Sequence, residues 1–333
     1  MATRKNLALA LAVLALATLP WWSGDLYKLH LAALIAAYWI LIGGLNLVVG
    51  YSGQLSIGHV GLLAIGAYAF TILAGTHGWH PGLAIAAAGI LCGACGLLLG
   101  LPSLRLPGFY FAMATLAFAL IVTEISLAQG KLTGGGVGLS VPSLPAPFDT
   151  PQGSYWLIVA IAGLVTWMTW NVARHTWGRG LIAIRDSVVT AQAVGVPVFR
   201  AKLTVFVASG VTAGVAGALF AVLQSYITPD TFIFELGLFF FVCIIIGGRG
   251  HILGPLLGTV VLTALPELVA PLARLGNFFY GLLLLIVVLL VPEGIGRVFE
   301  VLLERLRPRK AESHVVAPDL ERLARAISPE GRK

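Results

Sequence analysis

An all-α, polytopic integral membrane protein is the fold class this sequence predicts, on three observations. Of 333 residues, 58% are hydrophobic and only 11% are charged. The apolar residues collect into long runs, and a helix needs roughly 20 such residues to cross a bilayer. Mean hydropathy is +0.94, more apolar surface than a water-soluble chain of this length can hide.

Taken in order, the runs suggest about ten transmembrane helices. They lie roughly at 6–22, 30–50, 59–75, 81–100, 108–128, 154–173, 202–225, 232–248, 252–271 and 277–292. Most connections are short; the exceptions are 129–153 and the polar island 176–202. We divide the chain into a transmembrane body, 1–300, and a polar tail, 301–333, mixed in charge.

Lys and Arg set the orientation, because they accumulate on the cytoplasmic side. Arg4 and Lys5 precede the first run, Arg179, Arg185, Arg200 and Lys202 lie in the island, and Arg297, Arg305, Arg307, Arg309 and Lys310 follow the last run. Ten spans put all three groups inside, with both termini cytoplasmic; Arg105 and Arg249 then fall inside as well. The loop 129–153, with Pro142, Pro145, Pro147 and Pro151, falls outside. The first run, with Ala15-Leu16-Ala17 near its end, also fits a cleaved signal peptide. Charge parity does not separate the two readings, and we read it as a retained helix. This placement accounts for the net charge of +7 and gives no reason to invoke nucleic acid.

Enzyme motifs are missing. There is no G-x4-G-K-[ST] phosphate loop, no H-E-x-x-H and no G-x-S-x-G. The seven histidines have no metal-ligand spacing. Cys92 and Cys95 form a C-x-x-C without polar companions, which reads as helix packing. We expect no catalytic residue, metal or cofactor on this chain.

Gly50–Tyr68 (GYSGQLSIGHVGLLAIGAY) interrupts an apolar stretch with glycines and with Ser52, Gln54, Ser56 and His59. Non-helical backbone at membrane depth must line a cavity or be buried in protein. Polar residues at every second position suit an extended strip with Ser52, Gln54 and Ser56 on one side. A short inner loop between ordinary helices fits too. Leu106–Ala119 brings Tyr110 and Thr115 as candidates for the same path, although a mid-span Thr can simply bond back to its own helix. Glu124, Glu235 and Glu267 fall near outer span ends, as an acidic rim or as plain interfacial residues. Gly247-Gly248-Arg249-Gly250-His251 makes a tight inner turn that faintly echoes Gly58-His59.

With these blocks in view, the chain resembles the LivM-type permease subunits of branched-chain amino acid ABC importers, from about residue 40 to 296. Gly50-Tyr51-Ser52-Gly53-Gln54-Leu55-Ser56-Ile57-Gly58 with Gly66-Ala67-Tyr68 is similar to that family's G-x-x-G-Q-x-S-x-G…G-A-Y block. Tyr110-Phe111-Ala112-Met113 with Thr115–Phe118, and Leu132-Thr133-Gly134-Gly135 with Gly138-Leu139, resemble two more. Gly178-Arg179 through Ala183-Ile184-Arg185-Asp186, then Ala191, Ala193 and Gly195, resembles its cytoplasmic motif. Gly254-Pro255, Tyr280-Gly281 and Pro292-Glu293-Gly294 complete the order.

The resemblance implies a bacterial inner-membrane importer, most directly for Leu, Ile and Val. Its other parts would be a second, LivH-like permease, two cytoplasmic ABC ATPases that hold ATP-Mg, and a periplasmic or extracellular solute-binding protein. On this chain it implies ATPase coupling through Arg185, Asp186, Ser187, Val188, Ala191, Ala193, Val194 and Gly195. A substrate pathway would pass Ser52, Gly53, Gln54, Ser56, Tyr110 and Thr115, and the binding protein would dock near Thr133, Gly134 and Gly135. Ser187–Val194 suits a short coupling helix ended by Gly195 and Pro197. Val188 stands where relatives often carry an acidic residue, so we expect an apolar contact there by Val188, Val189 and Val194. Two rivals are the same machine carrying urea or short amides, and an ion-driven secondary carrier, which would need a mid-membrane charge pair that the sequence lacks.

Overall fold

The computed structural model describes residues 25–106, 108–251, 254–269 and 281. The expected runs 6–22 and 277–292 (Gly281 apart) and the tail 301–333 lie outside these residues. Runs two to nine each form a helix. Seven helices among the described residues are long and apolar enough to cross a membrane.

Asp25 caps the first, α1 (Leu26–Asn46), by accepting from Tyr27 N at 3.0 Å. A wider turn, Leu47–Tyr51, prolongs α1 without a break. Helix α2 (His59–Thr71) likewise runs on through Ile72–Thr76. Pro81 starts α3 (Pro81–Ser103) at a position where a missing N–H costs nothing. Then come α4 (Gly108–Ala128), the single turn α5 (Gly130–Thr133) and a two-residue strand β1 (Leu139–Ser140). Helix α6 (Pro151–Arg174) is capped by the Thr150 hydroxyl. The island forms two helices, α7 (Thr176–Asp186) and α8 (Val188–Ala193). Helix α9 (Val198–Gln224), strand β2 (Tyr226–Ile227), α10 (Phe234–Gly247) and α11 (Gly254–Val269) follow.

Helix α9 is the hub and packs on α1, α2 and α3, while α1 also lies against α6 and α11. Its glycines explain how so many helices reach it. A methyl group on Gly210 would stand 2.7 Å from the Cys92 carbonyl oxygen, and one on Gly214 2.5 Å from that of Ala88. The backbones of α3 and α9 therefore touch along a small-xxx-small stripe, a means of gaining dispersion energy where lipid leaves little hydrophobic driving force. Gly217 is pressed just as closely on Leu63 of α2. Polar bonds add to this. Trp39 Nε1 donates to Thr166 Oγ1 at 2.6 Å, joining α1 to α6, a bond worth about 0.6–2 kcal/mol inside a membrane. The apolar core of α1 is 89% buried, that of α6 only 28%, which places α1 inside the body and α6 on its flank.

At the end of the body away from the arginines, the loop 129–150 is fastened rather than free. β1 pairs antiparallel with β2, and Val141 N donates to Ser225 O at 3.0 Å. Ser225 takes a left-handed conformation, φ 58°, which ends α9 and turns the chain into β2.

Candidate functional site

Between Tyr51 and His59 the chain leaves helical geometry. Ser52, Gln54 and Ser56 are buried, whereas Gly53, Leu55 and Ile57 are exposed or half-buried. The alternation is that of an extended strip, with its polar side chains turned into the protein. Buried polar groups are costly unless paired, and nearly all of these are paired. Ser52 Oγ donates to Val48 O at 2.7 Å, and Gln54 Nε2 donates to Ser52 Oγ at 2.6 Å. Ser56 Oγ meets His59 Nδ1 at 2.9 Å, and His59 Nε2 meets Ser209 Oγ of α9 at 2.7 Å. Ile57 N donates to Thr115 Oγ1, which itself donates back to Ala112 O at 2.9 Å. Gly58 lies against the Thr115 backbone so closely that a side chain there would overlap the carbonyl. The strip is thus sewn to α4 and α9 at its far end.

One acceptor is left over. Gln54 Oε1 is buried and has no partner among the described residues. Asn46 Oδ1, one turn before the strip, is in the same state, while Asn46 Nδ2 donates to His251 O at 2.8 Å.

The near end of the strip is held from the island. Arg185 Nη1 donates to Gly50 O at 3.0 Å, and Arg185 Nε reaches Asp186 Oδ1 at 3.2 Å. Gly53 has φ 71° and lies on the arginine stem; a methyl there would be 2.9 Å from Arg185 Cγ. Gly250 has φ 79°, and a methyl there would be 2.7 Å from Arg185 Nη1. The break, the island and the Gly247–Gly250 turn therefore meet at one point.

Helix α8 has the opposite character. Ser187 Oγ caps it, accepting from Thr190 N at 3.2 Å, and Gly195 ends it at φ 82°. Ala191 is fully buried, so it seats the helix on the body. Val189 and Val194 are 76% and 71% exposed, and Val188 and Ala193 are exposed too. Of the island residues singled out from sequence, Ala191 and the Arg185 guanidinium face the chain's own body, and the three valines face outward.

The remaining candidates divide as well. Thr115 joins Ser52, Gln54 and Ser56 in one assembly, but Tyr110 does not: it is 65% exposed. Thr133 is buried, with Oγ1 donating to Ser126 O at 2.6 Å and accepting from Gly135 N at 3.3 Å. Gly134 and Gly135 have positive φ, 74° and 54°, and serve this turn. Beside this turn, Lys131, Leu132 and Val137 are among the exposed side chains. Glu124 and Glu235 are exposed at helix ends that approach each other, where Thr123 Oγ1 bonds Phe232 O at 3.5 Å. Sequence reading missed Ser209 and Asn46; both sit in helical apolar runs, and only their partners reveal them. Among the described residues, no group of three or more His, Cys, Asp or Glu could hold a metal ion.

Residues 27–288 match the family described as branched-chain amino acid transport system / permease component. The chain is 30% identical over 295 residues to the high-affinity branched-chain amino acid transport system permease protein LivM of Salmonella typhimurium, covering 80% of this chain and 69% of that protein. It is 30% identical over 217 residues to the autoinducer 2 import system permease protein LsrC of Klebsiella pneumoniae, covering 61% of this chain and 60% of the relative. With the L-arabinose ABC transporter permease protein AraH of Azospirillum brasilense it shares 27% identity over 228 residues, 65% and 64% of the two chains. No solved structure gives a significant match.

Proposed function

The chain belongs to the branched-chain amino acid transport system permease family, and from that premise we propose that it forms part of the translocation path of an importer for branched-chain amino acids. As an ABC permease subunit it is not an enzyme, and the ion-driven carrier falls away as a rival. ATP would be hydrolysed on separate ATPases docked at α8, with a second permease and a solute-binding protein completing the machine.

The observation that carries this reading is the strip Ser52–Gly58. Its Ser52, Gln54 and Ser56 side chains are polar, uncharged and buried in the body of a membrane protein, with the Gln54 Oε1 acceptor left without a partner among the described residues. Interrupted backbone of this kind is how many transporters build substrate sites. A zwitterionic amino acid needs donors and acceptors without net charge, and Gln54 Oε1 would accept from an ammonium group. ATP-driven movement of α8 would then change which side of the membrane the strip faces.

Relatives named for autoinducer 2 and L-arabinose show that one family serves unlike cargoes. Radiolabelled leucine uptake into vesicles holding the assembled complex separates them. Saturable, ATP-dependent uptake, displaced by isoleucine and valine but not by urea or arabinose, is the expected result. Displacement by urea or arabinose in place of the amino acids would overturn the substrate assignment.

A further inference from the structure

Resting on that reading, we propose that Arg185 is the positioning residue through which movement of α7 and α8 reaches the buried strip. A permease driven from outside needs a stiff connection from its docking helix to its path. The described residues contain a short one. Ser187 N donates to Ala183 O at 2.9 Å, and Ala191 is buried, so α8 stays bound to the end of α7. Arg185, next to last in α7, donates from Nη1 to Gly50 O in the turn that leads into the break.

The bond is suited to transmitting a displacement. Gly50 lies in the last turn before the chain leaves helical geometry, where carbonyls lack a following N–H and carry the negative end of the helix dipole. A guanidinium there makes a charge-assisted bond, stronger than a neutral one. Its Nε also donates to Asp186 Oδ1. Gly53 and Gly250 clear room on either side, each with a positive φ that other residues resist. A shift of α7 therefore pulls directly on the C-terminal turn of α1. The far end of the strip stays anchored by Thr115 and by the His59–Ser209 bond. The segment that must change shape is Tyr51–Ser56, which includes Gln54.

The test uses the complex that copurifies with the full chain, reconstituted in vesicles, with ATP hydrolysis and leucine uptake measured together. Arg185→Ala should assemble and hydrolyse ATP within about twofold of wild type, while uptake per ATP falls about tenfold, a loss typical of broken coupling between linked sites. A brace that only held the fold would lower assembly and both rates alike, leaving their ratio unchanged. Gly250→Ala leaves Arg185 itself intact but crowds Nη1; it should lower the same ratio, and it carries the test if Arg185→Ala does not assemble. Wild-type uptake per ATP in an assembled variant overturns the proposal. Absence of any copurifying ATPase, or of ATP-dependent uptake by the wild type, would instead refute the importer reading beneath it.

Discussion

The strip Ser52–Gly58 and the helix α8 are both short departures from the long-helix pattern, and they are held in opposite ways. Around the strip, His59, Ser209, Thr115 and Ser52 are locked in hydrogen bonds within the protein. On α8, Val189 and Val194 face outward and only Ala191 is buried. An apolar surface left open beside a basic segment fits a site for a partner. A polar segment folded inward fits a path that must stay closed to lipid. Arg185, at the end of α7, reaches from the side of α8 to the turn that leads into the strip.

Substitutions can break this contrast, and their effects should fall in order. Gly58→Val should be the most damaging. Its side chain would overlap the Thr115 carbonyl, and forcing atoms into a packed core costs about 1–3 kcal/mol or more. Thermal unfolding in detergent should show a clear drop together with poor yield. His59→Leu comes next. It leaves the Ser56 and Ser209 hydroxyls without their shared partner, at about 1–3 kcal/mol for buried groups left unsatisfied. An unchanged melting temperature in that variant would mean the strip is held less firmly than its bonds suggest. Val189→Asp should move stability by no more than about 0.5 kcal/mol, as for an exposed site. It should nevertheless reduce the amount of ATPase that copurifies. If it destabilises the chain as much as Gly58→Val, α8 is part of the core and the contrast fails.

Much of the fold was legible because membrane helices announce themselves by apolar length, and runs two to nine each coincide with a helix. The strip was legible in outline, since Ser52, Gln54 and Ser56 alternate among glycines and that period belongs to extended chain. Its orientation was not, because a period says which residues share a side but not what lies opposite. Pairings between distant segments were hidden for the same reason. Arg185 and Gly50 are 135 residues apart, and His59 and Ser209 are 150 apart. The Arg185 bond to Gly50 O and the turn closed by the Thr133 hydroxyl were therefore not legible from either segment alone. That Ala191 is buried was not legible either, because an alanine at that helical spacing suits a contact and a buried seat equally well.

The most direct test of the account is leucine uptake by the assembled complex carrying Gln54→Leu. Ser52 keeps its own bond to Val48 O in that variant, and leucine is close to glutamine in size, so assembly and ATP hydrolysis should persist. The account predicts that uptake falls at least about tenfold, a loss of roughly 1.4 kcal/mol in the transport step. Wild-type uptake kinetics in the same preparation would contradict it and return the strip Ser52–Gly58 to a role in packing.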